Sequence, residues 1–247
     1  MRSLYRIQGD GPLRGESLQA LSSEEGVDVG FRDGVVVDDV GDAEAEFDAS
    51  GCTVVPGFVD CHTHLPFFGW RGDEDAARLS GVRYETLHRE EGGIFRSARM
   101  LEGAGDDEVF DFSTSLAASM LEKGTTTFET KSGYGLSVEA ELRQLRLARR
   151  LADAVPQRVE TTCLAAHAVP KDKSQGEWVG EAATGLLPIA ARENLASACD
   201  VYVESIAFGL EHAARLGETS AELGLRMRIH ADQLEDGQAG SFAARWG

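Results

Sequence analysis

The pattern of hydrophobic and polar positions divides the chain near residue 53. Before that point, Val27-Asp28-Val29-Gly30-Phe31 and Val35-Val36-Val37 flank Arg32-Asp33-Gly34. Two β-branched runs around such a turn predict a hairpin. A strand is expected to begin after the Pro56-Gly57 break and to carry Phe58-Val59-Asp60-Cys61-His62-Thr63-His64-Leu65. From there strands alternate with helices. Apolar spacing predicts a helix over 106–123, and the β-branched run Thr125–Glu129 predicts a strand. Ser137 is placed to cap a helix through Leu142, Leu145 and Leu151. Val159–Leu164 reads as a third strand, 186–197 as a helix, and Asp200–Glu204 as a fourth strand. A helix over 211–223, a fifth strand at Leu225–His230 and a helix over 238–246 follow. Five βα units of this kind predict an α/β fold with a parallel sheet, and a (β/α)8 TIM-type barrel leads the candidates. A full barrel takes about 250 residues. Only 247 − 53 = 194 residues follow the N-terminal piece, so about the first five βα units of a barrel are expected. Such an open piece exposes strand edges, and the chain is expected to aggregate or to need a partner.

Charge narrows the function. Lys plus Arg is 24 against 42 for Asp plus Glu, a formal net charge of −18. Binding to nucleic acid or to an anionic membrane surface is disfavoured, because both rest on Lys and Arg. The first ten residues lack the apolar core of a secretory signal, and no run of 18 apolar residues predicts a membrane span. Cys52, Cys61, Cys163 and Cys199 are scattered, with no CxxC pair. They read as buried free thiols of a cytoplasmic protein.

The candidate chemistry lies at strand ends. On a strand, residues i and i+2 share a face, so His62 and His64 can grip one metal ion while Thr63 turns away. Taken alone, two histidines on a strand mark little. Preceded by Pro56-Gly57-Phe58-Val59-Asp60, they point to ligation at the C-terminal end of a barrel strand. His230 ends the fifth strand and is the natural third nitrogen ligand of an open catalytic site. Asp232 and Gln233 follow it and are expected to face the pocket; Gln233 can donate and accept hydrogen bonds but cannot be a general base. His167 ends the third strand, and Tyr134 lies in the Lys131-Ser132-Gly133-Tyr134-Gly135 loop after the second. Both are expected at the mouth of the same pocket. Arg71 suits bidentate binding of a carboxylate, or pairing with Asp73 or Asp75.

Together these segments resemble the imidazolonepropionases of the metal-dependent amidohydrolase superfamily. The resemblance rests on Pro56–Arg71, Glu91-Gly92-Gly93-Ile94, Gly124–Leu136, Ala166–Pro170 and Ile229–Gln233. It implies a barrel beside a small β-sandwich, with residues 1–53 as part of the sandwich and 54–247 as an incomplete barrel. The implied reaction is hydrolysis of the cyclic amide of 4-imidazolone-5-propanoate to N-formimidoyl-L-glutamate, a cytoplasmic step of histidine degradation. His62, His64 and His230 match ligands of one divalent metal ion, zinc or iron. Arg71, Tyr134, His167 and Gln233 match positions that contact the small-molecule substrate and its carboxylate, and His230 and Gln233 match catalytic positions. A homodimer is the family tendency. The resemblance also implies a further ligand Asp and a proton-transferring His beyond residue 247. Pro66-Phe67-Phe68-Gly69-Trp70 departs from the family pattern, and Glu91 stands where the family has a glycine. Two alternatives stay open: another amidohydrolase, such as a cyclic-amide hydrolase or deaminase, or a fragment without catalysis.

Overall fold

A computed structural model describes residues 1–7, 13–37, 39 and 41–246. Contacts divide the chain into Met1–Phe58 and Val59–Gly247.

In the first unit, β1 (Ser3–Ile7) pairs antiparallel with β2 (Leu21–Glu25), which follows a 3-10 turn at Gly15–Gln19. The expected hairpin forms from β3 (Gly30–Arg32) and β4 (Val35–Val37), with Gly30 opposite Val37. Its two-residue turn places Asp33 at φ 53° and Gly34 at φ 77°. Both angles are left-handed, as a type I′ turn requires. β5 (Thr53–Val54) joins β1 in parallel, giving the order β2-β1-β5.

The second unit contains the predicted α/β sheet. β6 (Phe58–Thr63) leads into a cis Leu65–Pro66 peptide. Three short helices outside the sequence expectations follow: α1 (Gly72–Leu79), α2 (Tyr84–Arg89) and α3 (Ile94–Gly103). Glu91, between α2 and α3, has φ 65°. That backbone favours glycine, the residue the family resemblance puts there. Then come α4 (Asp106–Glu122), β7 (Thr125–Lys131), α5 (Val138–Ala154) and β8 (Arg158–Ala166). Ser137 caps α5 as expected, its side chain accepting from the Ala140 N–H at 3.2 Å.

The helix expected over 186–197 is different. α6 (Gln175–Glu181) continues through a π-helical turn at Ala182–Leu186 into α7 (Leu187–Arg192). Pro188 is the reason, since it has no N–H to donate to the preceding turn and a wider turn accommodates it. Asn194, at φ 53°, lies just past the helix end. The remaining elements are β9 (Ala198–Val203), α8 (Leu210–Glu222), β10 (Arg226–Ala231) and α9 (Ala239–Trp246).

The five strands run in the order β10-β9-β8-β7-β6, and β7–β8, β8–β9 and β9–β10 pair in parallel. The main core joins Cys163, Ala165, Cys199, Val201 and Val203 of the sheet to helix residues such as Leu145, Trp178, Leu186 and Leu216. The Trp178 indole N–H donates to the Ala165 carbonyl at 2.8 Å. Edge strand β6 is largely exposed, including Phe58, Val59 and Cys61, so the expected burial of the free thiols holds for Cys163 and Cys199 but not for Cys52 and Cys61. Among the described residues no helix is long and apolar enough to cross a membrane. Leu145 is fully buried, so Leu145→Ala is expected to destabilise the chain by about 2–5 kcal/mol. Ser137→Ala is expected to cost about 1 kcal/mol. Urea unfolding followed by circular dichroism checks both.

Candidate metal centre

His62 and His64 come from the end of β6, and His230 from the end of β10. These are opposite edges of the sheet. Four strand intervals of a flat sheet would separate them by about 19 Å. Instead the His62 and His230 ring centroids are 4.4 Å apart, and those of His64 and His230 are 5.5 Å apart. The sheet is therefore curled, and its inner face brings the two edges' side chains together. Thr63 points away from the histidines, donating its hydroxyl to the Glu129 carbonyl at 2.8 Å.

A donor nitrogen from each of the three imidazoles lies within 4.8 Å of the others. His62 Nε2 and His64 Nε2 approach to 3.3 Å. His230 Nε2 is buried without a hydrogen-bond partner among the described residues. Unpartnered buried nitrogens are costly, and a cation between the rings satisfies such atoms. Burial, with the neighbouring His230 and Lys131 charges, lowers the His62 pKa. Burial and the charges of His167 and His230 push His64 well below the usual range. Neutral imidazole is the ligand form. The residues present fit a divalent ion.

His167 and Tyr134 join the cluster. The His167 ring stacks on His64 at 5.0 Å, and Tyr134 lies 5.6 Å from His64 and 5.3 Å from His167. The loop that carries Tyr134 is held by α5, one helical turn supplying two anchors. Glu141 accepts the N–H groups of Gly133, Gly135 and Leu136 at 2.7, 2.6 and 3.0 Å. Gln144 accepts the Tyr134 N–H at 3.0 Å and donates to the Pro66 carbonyl at 2.8 Å. Gly135 is required here, since a Cβ would lie 2.3 Å from the Glu141 nitrogen.

Arg71 and Tyr134 line a cleft of about 440 Å³ beside His64, together with Tyr84, Glu74 and Arg78. Arg71 pairs with Glu74 at 3.3 Å, whereas Asp73 pairs with Arg96. Asp232 does not serve the pocket as expected. Its carboxylate accepts the N–H groups of Gly237, Ala239 and Gly240 and caps α9, where the helix dipole favours it. Gln233 is exposed, and its backbone N–H is held by Glu204 at 2.6 Å. Its side chain is not among the groups lining the cleft.

Sequence reasoning missed the charged row beneath the histidines. Lys131, 1% exposed, lies 2.6 Å from Glu129 and 2.9 Å from Asp200. Arg228 pairs with Glu129 as well and bonds Thr162. The available signal was period-two polarity, with Glu129 and Lys131 on β7, Asp200 and Tyr202 on β9, and Arg228 and His230 on β10. Burial opposes the Asp200 carboxylate, but His230 and Lys131 outweigh it and hold its pKa at about 2.

Burial and the His230 charge lower His167 to about 3 from the ordinary 6.5. Between those values the unfolded chain binds a proton that the folded chain refuses, so stability falls as pH falls. His64 shifts in the same direction. Asp200 acts below this window, its contribution being lost as pH falls through about 2. In chelator, urea midpoints are expected to drop between pH 6.5 and pH 4, and to drop less steeply in His167→Gln. A slope unchanged by the substitution contradicts the assignment.

No protein-family model matches the chain. It is 43% identical over 200 residues to an imidazolonepropionase of Cupriavidus pinatubonensis, covering 80% of this chain and 47% of that protein. With an imidazolonepropionase of Pseudomonas putida it shares 39% identity over 207 residues, 83% of this chain and 52% of the relative. The fold is shared with a 5-methylcytosine deaminase from Klebsiella pneumoniae, at TM-score 0.60 and 14% identity over 88% of this chain and 52% of that one. It is also shared with a triazine hydrolase from Arthrobacter aurescens, at TM-score 0.56 and 13% identity over 100% of this chain and 57% of that one. The chain is thus a sequence relative of the imidazolonepropionases, and it spans about half the length of the curated relatives it matches.

Proposed function

We propose that this chain carries the metal-binding and substrate-orienting part of a hydrolase that opens the ring of 4-imidazolone-5-propanoate to give N-formimidoyl-L-glutamate. The observation that carries the reading is the convergence of His62, His64 and His230 beside a cleft that Arg71 and Tyr134 line. The sequence similarity supplies the substrate.

In this reading the three histidines hold one divalent ion, zinc or iron. A divalent ion in such a site supplies Lewis acidity that lowers the pKa of water to about 7. The chain's own residues bind and orient. Arg71 takes the propionate carboxylate with its guanidinium fork, exchanging its contact with Glu74 for the substrate. Holding the carboxylate at one end of the cleft sets the ring over the histidines at the other. His167 and Tyr134 flank the ring. Burial raises the Tyr134 hydroxyl to about 12, so it stays protonated and donates. His167 is neutral, with Nδ1 held 3.0 Å from the Gly133 carbonyl. A carbonyl only accepts, so Nδ1 carries the proton and Nε2 is left to accept a hydrogen bond.

The test is metal-dependent loss of imidazolonepropionate absorbance by the purified chain loaded with Zn(II) or Fe(II). Activity is expected to vanish on chelation and to return with the metal. Arg71→Ala is expected to raise KM at least tenfold with a smaller effect on kcat, and an unchanged KM sinks its role. A second reading, metal binding without turnover, is favoured by the donor set. Among the described residues the cluster holds three histidines and no carboxylate. Stoichiometric metal with no absorbance loss decides for it.

A further inference from the structure

The row of buried charges beneath the histidines has no part in the reading above. We propose that Asp200, fixed by Lys131, is a positioning residue that orients the His230 ring toward the metal. The inference rests on the reading of His62, His64 and His230 as a metal site.

The row begins at Arg228, which pairs with Glu129 and bonds the Thr162 hydroxyl. Glu129 in turn meets Lys131 at 2.6 Å, and Lys131 meets Asp200 Oδ2 at 2.9 Å. Two cations alternate with two carboxylates, so the buried row is neutral as a whole. Its last member faces the site, with Asp200 Oδ2 3.0 Å from His230 Nδ1. That contact is close but out of line for a hydrogen bond in the ring orientation seen here, and His230 Nδ1 and Nε2 both lack one. Asp200 Oδ1 is likewise buried without a partner. A small rotation of the ring lets Nδ1–H donate to Asp200. This fixes the tautomer and leaves the Nε2 lone pair free to ligate.

Strand register explains why Asp200 is the residue in reach. Tyr202 is directly beside His230 in the β9–β10 pairing, and Asp200 is directly beside Arg228, two residues back on the same face. Asp200 therefore approaches His230 from beneath, from the side of the sheet interior. A pair serving stability alone needs only Lys131 against Asp200. The approach of the same carboxylate oxygen to a ligand nitrogen is the added contact that a positioning role requires and a purely structural one does not.

The test uses the full 247-residue chain and two readouts: zinc affinity by competition with a chromophoric chelator, and the visible absorption bands of the Co(II)-loaded protein. Asp200→Asn keeps the shape and removes the charge. Zinc is expected to bind about 10–100-fold more weakly, and the Co(II) bands are expected to shift, with the circular dichroism spectrum unchanged. A folded Asp200→Asn with zinc affinity within twofold of wild type and unshifted Co(II) bands overturns the proposal. If that variant does not fold, Lys131→Met/Asp200→Asn removes the pair as a unit and leaves Glu129 with Arg228, and the same loss and shift are expected. Failure of both variants to fold assigns the pair to stability and also overturns it. A wild-type chain that binds no zinc, or His230→Ala that binds it as well as wild type, defeats the three-histidine reading itself and takes this inference with it. That outcome is distinguishable because it appears before Asp200 is touched.

Discussion

Everything in the second unit depends on the two faces of a curled sheet having opposite chemistry. The outer face is apolar and packs Cys163, Ala165, Val201 and Val203 under the helices. The inner face takes every second residue of the same strands: His62 and His64, Glu129 and Lys131, Thr162, Asp200 and Tyr202, Arg228 and His230. A strand fixes this division by its period. The same curl that closes a core outside brings titratable groups from distant parts of the chain together inside. Charges so buried persist only when paired. Here each of the four in the row has an opposite neighbour beneath the histidine cluster.

The loops above the sheet follow a second rule. Catalytic positions on loops are only as exact as what holds the loop. Residues 133–136 are fastened by four backbone N–H groups to two buried side chains of one helix, Glu141 and Gln144. Gln144 also reaches the Pro66 carbonyl, two residues beyond His64. One turn of α5 therefore ties the Tyr134 loop to the segment that follows the HxH pair. Gly133 and Gly135 permit this closeness, since a Cβ at Gly133 would lie 2.8 Å from His167 Nδ1.

The sequence made local features legible, together with those of its nonlocal features that follow from a fixed period. The βα alternation, the Asp33-Gly34 turn and the Ser137 cap are all decided within a few residues, and each forms as expected. The shared face of His62 and His64 follows from strand period, and the meeting with His230 was anticipated from the barrel that the alternation suggested. What stayed hidden was pairing. Nothing in Glu129 or Lys131 indicates that their partners sit at 228 and 200, because only strand order and register bring those positions together. Asp232 was misjudged for the same reason in reverse. Its nearness in sequence to His230 suggested the pocket, but the free N–H groups of α9 lie closer and claim the carboxylate. The short helices α1 and α2 carry too few residues for apolar spacing to announce them, whereas α3 has one buried face at Ile94, Ser97 and Leu101 that the pattern contains and sequence reasoning missed.

The electrostatics of the site follow from these placements. A metal ion competes with protons for imidazole nitrogen, and an exposed histidine cluster yields its protons only near its ordinary pKa of about 6.5. In this fold burial and neighbouring positive charge have already lowered His62 and His64. Both shifts favour the neutral form that ligates a cation. Lys131 contributes to this, since it adds positive potential close to the rings while its own charge is matched by Glu129 and Asp200. The cost of keeping unprotonated, partnerless nitrogens together is therefore carried by the folded sheet and its buried ion row. Such a site is preorganised in position: its ligands already stand together when a cation arrives.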